Sequence, residues 1–399
     1  MPIVNYQLKN KVFSYFCGMN KFFVSIFVFV FVSVSMPAWV TVSSQTVKVG
    51  VVLPLHRNNA EGMRMIEYYR GILLAADSLK QERQNIEITA VNCKADTSVA
   101  SVLANPDLKN CDVIFGPLYS SQASYLSAFA KVNNSKLVIP FSINTPETQV
   151  NPNIFQIYQP SELLEPVIVE NFMRLCLKEG EHQVVIVDCN DTTDFRKPSF
   201  TSIIKQYCQT NKIKVRITNV TQEDKAFVKA FHKKKGNIVV LNSASSPKML
   251  AVFEKMKAVY AKYENINVKY LGYNEWLMYE PYQLDNFCKK NVYVPSTYYV
   301  SPYDKRVTDL ENKYRFWFRQ EILPAKPQFM LTGFDHAYYF IKGIAKYGKK
   351  FVGTKQQTSN VPLQTPLHFG KLSGDGGYLN KAMMFIHYRP DGKVETINY

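Results

Sequence analysis

The chain has 399 residues, 46% of them hydrophobic and 20% charged, with a formal net charge of +16. This composition excludes a disordered or low-complexity chain, and the length exceeds one compact core, so about two domains of ~100–200 residues are expected. The lysine clusters Lys233–Lys235, Lys289–Lys290 and Lys349–Lys350 read as solvated helix ends and loops, with an anionic membrane surface or cell-wall polymer as the alternative partner. No groove-reading motif supports nucleic acid.

The first segment differs from the rest. Residues 1–44 carry Lys9, Lys11 and Lys21 and no acidic residue, and "FFVSIFVFVFVSVS" (Phe22–Ser35) is followed by small residues. That is the three-part pattern of a secretory signal peptide, too short for the ~20 residues that span a bilayer. An export signal over 1–44 is expected, cleaved near residues 38–45, with a periplasmic mature protein. An uncleaved anchor is the alternative, and Met19 is an alternative start. Cys17 precedes the apolar run, so a lipoprotein box is not supported. Loss of this segment takes the charge from +16 to +13 and leaves six cysteines: Cys93, Cys111, Cys176, Cys189, Cys208 and Cys288. An even count permits disulfides in an oxidising compartment. The spacing shows no framework and no C-x-x-C, so mostly buried free thiols are expected.

"VKVGVVLPL" (Val47–Leu55) is a near-continuous apolar run, as a strand covered on both faces requires. In Glu61–Gln81 the residues Met65, Ile66, Tyr69, Ile72, Leu73 and Ala76 recur at helical spacing. Strands follow at Ile86–Cys93, Cys111–Leu118, Leu137–Ser142 and Asn153–Gln159, with helical stretches between. The alternation then restarts. A helix at Glu162–Glu179 leads to strands at Gln183–Asn190, Lys214–Val220, Asn237–Ser243, Val268–Trp276 and Asn291–Val300. Helices are expected at Ser199–Gln209, Ser246–Tyr263, Asp304–Glu321 and Met330–Tyr347. Pro390-Asp391-Gly392 between apolar runs signals a β-hairpin. Strands alternating with helices imply parallel sheets with helices on both faces. The reading is α/β, as two doubly wound parallel-sheet lobes.

Catalytic patterns are missing. There is no G-x-S-x-G turn, H-E-x-x-H or P-loop, and the six histidines stand at no metal-ligand spacing. "SGDGG" (Ser373–Gly377) lacks dinucleotide spacing and reads as a loop. No enzyme, cofactor or metal is expected. Ligands of such sheets sit beyond the carboxyl ends of the strands. The loops expected there are "HRNN" (His56–Asn59), "YSS" (Tyr119–Ser121), "INT" (Ile143–Thr145), "CNDTTD" (Cys189–Asp194), "SASS" (Ser243–Ser246) and "GYNEW" (Gly272–Trp276). They are rich in hydroxyls, amides and rings. Ser120 and Ser121 either hold a ligand carboxylate with helix N-terminal N–H groups or cap their helix.

The order of segments resembles the type I periplasmic binding proteins, the group of the leucine/isoleucine/valine receptor. "VGVVLPL…YYRGILLAADSL", "DVIFGPLYSSQASYLSAFAKVNNSKLVIPFS", "TGFDHAYYFIKGIAK" and "RPDGKVETI" carry the resemblance, from about Val47 to Ile397. Gly116-Pro117-Leu118 resembles a narrower branch, the Bacteroidetes envelope proteins and the binding-protein-like half of peptidoglycan synthase activator lipoproteins. The resemblance implies two lobes joined by a three-strand hinge, with crossovers near residues 160, 300 and 350. Lobe 1 would hold 45–160 plus 301–349, and lobe 2 would hold 161–300 plus 350–399. It implies a monomeric, non-catalytic solute receptor that closes on a small polar ligand, of amino-acid or peptide class, and serves a membrane permease or envelope protein. The positions matching the family's ligand loops are Tyr119, Ser120, Ser121, Ser142 and Thr145 in lobe 1. In lobe 2 they are Asn190, Asp191, Tyr273 and Asn274. "HRNNAEG" departs from the family's Thr/Ser-Gly start, and Arg57 there is a candidate anion contact. The alternative is an envelope interaction protein of cell-wall synthesis, with the same fold and no solute.

Overall fold

A computed structural model describes residues 46–192, 199–357, 361–372 and 374–399. The expected export signal lies outside them.

Lobe 1 opens with β1 (Val47–Leu53), α1 (Ala60–Gln81), β2 (Ile86–Asn92), α2 (Val99–Leu103), α3 (Pro106–Lys109) and β3 (Val113–Phe115). It continues with α4 (Ala123–Asn133), β4 (Lys136–Ile139) and β5 (Ile154–Gln156). Lobe 2 contains α5 (Ser161–Leu177), β6 (His182–Asp188), α6 (Phe200–Thr210), β7 (Val215–Asn219), α7 (Asp224–Val228) and β8 (Gly236–Leu241). It also contains α8 (Ser246–Lys262), β9 (Val268–Leu271), α9 (Glu280–Lys290) and β10 (Val292–Ser296). Then come α10 (Lys305–Phe318), α11 (Phe329–Tyr347), β11 (Phe369–Lys371), β12 (Tyr378–Asn380), β13 (Met384–Tyr388) and β14 (Val394–Asn398).

Local chemistry sets the boundaries. Asn59 starts α1 by accepting the Gly62 N–H at 2.8 Å. Asn134 ends α4 and Asn291 ends α9 in the left-handed conformation, with φ of 53° and 56°. The near-continuous apolar strands are buried on both faces: β1, β6, β8 and β9 form the centres of the two cores.

The two sheets share one plan. Sheet one has the order β11-β12-β5-β4-β3-β1-β2, and sheet two has β14-β13-β10-β9-β8-β6-β7. The order 5-4-3-1-2 thus recurs as 10-9-8-6-7. These ten strands are parallel, and the pairs β11-β12 and β13-β14 are antiparallel hairpins at one edge of each sheet. The hairpin at Pro390-Asp391-Gly392 is the latter. In each sheet the order reverses once, between β1 and β3 and between β6 and β8. Helices leave the sheet in opposite directions at those points and open a crevice at the strands' carboxyl ends.

One expected boundary is corrected. The third crossover is not near residue 350, and 350–399 does not belong as a whole to lobe 2. Tyr378 and Leu379 pair in parallel with Phe155 and Gln156 of lobe 1, and the Tyr378 and Phe155 rings stack at 4.8 Å. Upstream, the Asp335 carboxylate in α11 accepts the N–H groups of Leu363, Gln364 and Thr365 at 2.7–2.9 Å. Residues through Asn380 therefore follow lobe 1. The crossovers fall at 157–160, 297–304 and 381–383. All six described cysteines are buried and unbridged. No helix among the described residues is long and apolar enough to cross a membrane.

Candidate functional site

The switch point of lobe 1 lies between the loops after β1 and β3. Gly116 closes the distance between them, since a Cβ there would lie 2.1 Å from the Val52 carbonyl oxygen. Its φ of +131° is also one that L side chains rarely adopt. The next residues are directed by this turn. The Tyr119 hydroxyl donates to Glu61 in the first turn of α1 at 3.0 Å. Burial, then the bond and charge of Glu61, push the phenol up to about 12. Gln122 is buried and its side-chain amide donates to the Lys94 carbonyl, which fixes the turn to the loop after β2.

Ser120 and Ser121 begin a short 3₁₀ turn, Ser120–Gln122, and both are exposed. Neither caps α4, whose N-cap position is Gln122 with no side-chain cap bond. The capping account of the serine pair therefore fails. Two hydroxyls and a helix entrance face solvent at the switch point. Arg57 is exposed in the loop after β1.

The loop after β4 is more self-contained. Ser142 bonds its own turn, donating to the Asn144 carbonyl at 3.0 Å and accepting the Asn144 N–H at 3.2 Å. Thr145 is 5% exposed, and its hydroxyl has no hydrogen-bond partner among the described residues. Gln156 holds this loop by donating to the Ile143 carbonyl at 3.1 Å.

In lobe 2 the switch point is lined by Asn190, Asp191 and the loop after β8. Asn190 takes a left-handed φ of 52°, which asparagine tolerates. Its side-chain oxygen accepts from Asn219 at 2.7 Å, and its N–H donates to Asp188 at 2.9 Å. Asp191 accepts a hydrogen bond from the Ser243 hydroxyl, across the two loops that flank the reversal. Asp188 and Asn242 brace the same junction: Asn242 donates to Asp188 and accepts the Cys189 N–H. Part of the expected "CNDTTD" loop, from residue 193, lies outside the described residues.

Tyr273 is elsewhere. It is 5% exposed, its ring packs against Phe200 and Trp276, and its hydroxyl donates to the Leu241 carbonyl. It belongs to the lobe 2 core. Asn274 donates to the Ser296 hydroxyl at 2.8 Å and so ties the loop after β9 to the end of β10.

The sheets therefore place Arg57, Tyr119, Ser120 and Ser121 at one reversal, and Asn190 and Asp191 at the other. Ser142, Thr145, Tyr273 and Asn274 stand one strand further along. Glu61 and Asp188 carry no sequence signal, and Ser243 is legible only as part of the "SASS" loop, not as the partner of Asp191. Their partners Tyr119, Asp191 and Asn242 are distant in the chain, so no spacing signals them. Among the described residues no group of three histidine, cysteine or acidic side chains is placed to hold a metal.

No family model and no curated protein matches the chain. Solved structures do. A putative branched-chain amino acid ABC transporter from Rhodospirillum rubrum is 12% identical over 88% of this chain and 100% of that one, with a TM-score of 0.57. The substrate-binding protein LivJ of Streptococcus pneumoniae, in complex with isoleucine, is 14% identical over 89% of this chain and all of that one, with a TM-score of 0.41. Full-length LpoA from Haemophilus influenzae is 12% identical, covers 89% of this chain and 59% of that one, and has a TM-score of 0.48. The chain has the two-lobed α/β fold of the type I periplasmic binding proteins.

Proposed function

We propose that the protein is an exported, non-catalytic solute-binding protein that holds a small polar ligand of the amino-acid or peptide class between its lobes. One observation carries this reading: the sheet reversals of both lobes bear the polar side chains, with Ser120, Ser121 and Arg57 exposed on one side and the Asp191–Ser243 pair on the other. Crevices of this type are where open α/β sheets bind ligands. The serine hydroxyls and the Arg57 guanidinium suit a carboxylate, and Asp191 suits an ammonium group. The likeness in fold to a putative branched-chain amino acid transporter component agrees with this class. A membrane permease would then be the partner.

A second reading has its own support. Several cleft groups already satisfy one another: Ser142 with Asn144, Asn190 with Asn219, and Asn274 with Ser296. Exposed Met63, Ile143, Met278 and Tyr282 lie in or beside these loops. Those features favour an envelope interaction protein with the same fold.

Thermal unfolding with a panel of amino acids, short peptides and cell-wall fragments separates the two. A solute receptor is stabilised by its ligand in proportion to RT ln(1 + [L]/Kd). The Ser120→Ala/Ser121→Ala variant should lose that shift. No shift across the panel, together with recovery of one envelope protein in a pull-down, favours the second reading.

A further inference from the structure

Lobe 2 separates its charges along the strand direction. The segments that enter β6–β10 from the preceding helices, residues 176–181, 209–214, 227–235, 261–267 and 289–291, hold ten lysines and three glutamates. The described segments that leave those strands, residues 189–192, 220–223, 242–245, 272–279 and 297–304, hold four acidic residues and no lysine or arginine. The five strands are parallel, so the first set shares the amino edge of the sheet and the second the carboxyl edge. The carboxyl edge bears the cleft, and the amino edge faces away from it.

Helix ends attract lysine through the helix dipole, an effect confined to the last turn. That does not account for this edge. The matching segments before β2–β5 of lobe 1, residues 80–85, 108–112, 132–135 and 148–153, follow helical turns in the same way and hold three cations and two acids. Lys212, Lys214 and Lys233–Lys235 also lie beyond the last residues of α6 and α7. Few carboxylates answer these lysines. Glu181 pairs with Lys235 at 2.6 Å, and Glu179 pairs with the buried Lys269 of β9. Eight of the ten, among them Lys178, Lys212, Lys214, Lys233 and Lys234, are exposed and pair with no carboxylate among the described residues.

The chemistry of this edge selects its occupant. All its cations are lysine. An ammonium is a hydrated point charge without the fork that grips one phosphate, so it suits diffuse attraction to many. Strands about 4.8 Å apart spread the five segments over roughly 20 Å. A polymer strand follows one line of such an array, whereas a plane of lipid headgroups meets all of it. We propose that the amino edge of lobe 2 docks on an anionic phospholipid bilayer and holds the cleft away from it. This docking is independent of what the cleft binds.

Co-sedimentation of the full protein with vesicles tests this. The readout is the bound fraction released by about 1 M salt, where charges act over only ~3 Å, which leaves aside any apolar hold by residues 22–35. Such binding should be at least about tenfold tighter to equimolar phosphatidylglycerol and phosphatidylcholine than to pure phosphatidylcholine, since each lysine near an anionic surface strengthens it about fivefold. Lys212→Gln/Lys214→Gln/Lys233→Gln/Lys234→Gln should weaken it at least about tenfold. Lys80→Gln/Lys225→Gln/Lys326→Gln/Lys371→Gln removes the same charge from exposed positions off this edge and should weaken it less than about threefold. Residues 1–44 are common to all three proteins, so the differences report the edge alone. Equal salt-released binding to the two vesicles, equal losses in the two variants, or tighter binding to soluble polyphosphate at equal phosphate concentration overturns the proposal.

Discussion

The Tyr119 hydroxyl and the Glu61 carboxylate, 3.0 Å apart, join the loop after β3 to the first turn of α1 across the lobe 1 switch point. This bond holds the serine turn against the start of α1. Tyr119→Phe removes it while keeping the ring. A loss of about 0.5–1.5 kcal/mol is expected, the usual net value of one such bond, because Glu61 can regain water. Urea unfolding measures it. An unchanged midpoint shows that the bond does not position the turn.

The serine pair separates capping from binding. A lost N-cap costs about 1 kcal/mol. Neither serine caps α4, so Ser120→Ala/Ser121→Ala should stay within about 0.5 kcal/mol of the parent, as exposed substitutions do. Its effect should fall on ligand affinity. A stability loss near the cap value instead returns these serines to a structural role.

How far the sequence discloses this molecule differs by region. The central strands are legible because burial on both faces demands unbroken apolar runs such as "VKVGVVL". The repeated alternation also reveals two lobes. The third crossover is not legible, because β11 and β12 have three residues each, too few to show a period. That region is held by polar contacts from afar: Asp335 to residues 363–365, and the Asn380 side chain to His368. At the site, loop composition identifies the hydroxyls. It does not separate exposed Ser120 from Tyr273, whose polar tip is used on a core carbonyl.

The contact of α1 with α11 is made through glycines. A Cβ on Gly71 would lie 2.1 Å from the Met330 carbonyl oxygen, and one on Gly333 would lie 2.0 Å from that of Tyr68. In a free helix Gly→Ala is stabilising by roughly 0.5–1 kcal/mol. Here the methyl group meets rigid backbone, so the sign reverses. Gly71→Ala and Gly333→Ala should each cost about 1–3 kcal/mol through overpacking. Stabilisation by either would mean that the helices separate readily.

The pH dependence of stability follows from two buried groups, His336 and Asp335, and the half-buried His368. Burial lowers His336 to about 3, and burial with Lys355 and Lys381 lowers His368 to about 4. Each contributes stability that is present above its unfolded value of about 6.5 and is lost as pH falls toward the folded value. Asp335 has the opposite sign: raised to about 6, its contribution is present below about 3.8 and lost as pH rises through 6. Near pH 5 the two histidines outweigh the aspartate. Stability should fall by about 1.4 kcal/mol per unit of acidification, with His387, also lowered by burial, acting in the same direction and Glu67, raised by burial, against it. Unfolding curves between pH 4 and 6.5 measure the slope. His336→Asn should flatten it, and an equal slope in that variant shows that His336 is not the group responsible.

Tyr273 decides how much of lobe 2 belongs to the site. Its hydroxyl is buried on the Leu241 carbonyl at the end of β8, and its ring lies between Phe200 and Trp276. Tyr273→Phe keeps the packing and leaves that carbonyl without its donor. The cost should be about 1–3 kcal/mol, the penalty for an unsatisfied buried acceptor, with ligand affinity unchanged. Asp191→Asn should show the reverse. Asp191 is only half-buried, so stability should change by under about 1 kcal/mol, whereas a bound ammonium group would lose its counter-charge and at least about tenfold in affinity. Paired denaturation and titration of the two variants reads both effects. If Tyr273→Phe weakens binding while Asp191→Asn does not, the ligand lies at the loop after β9 rather than at the β6–β8 reversal.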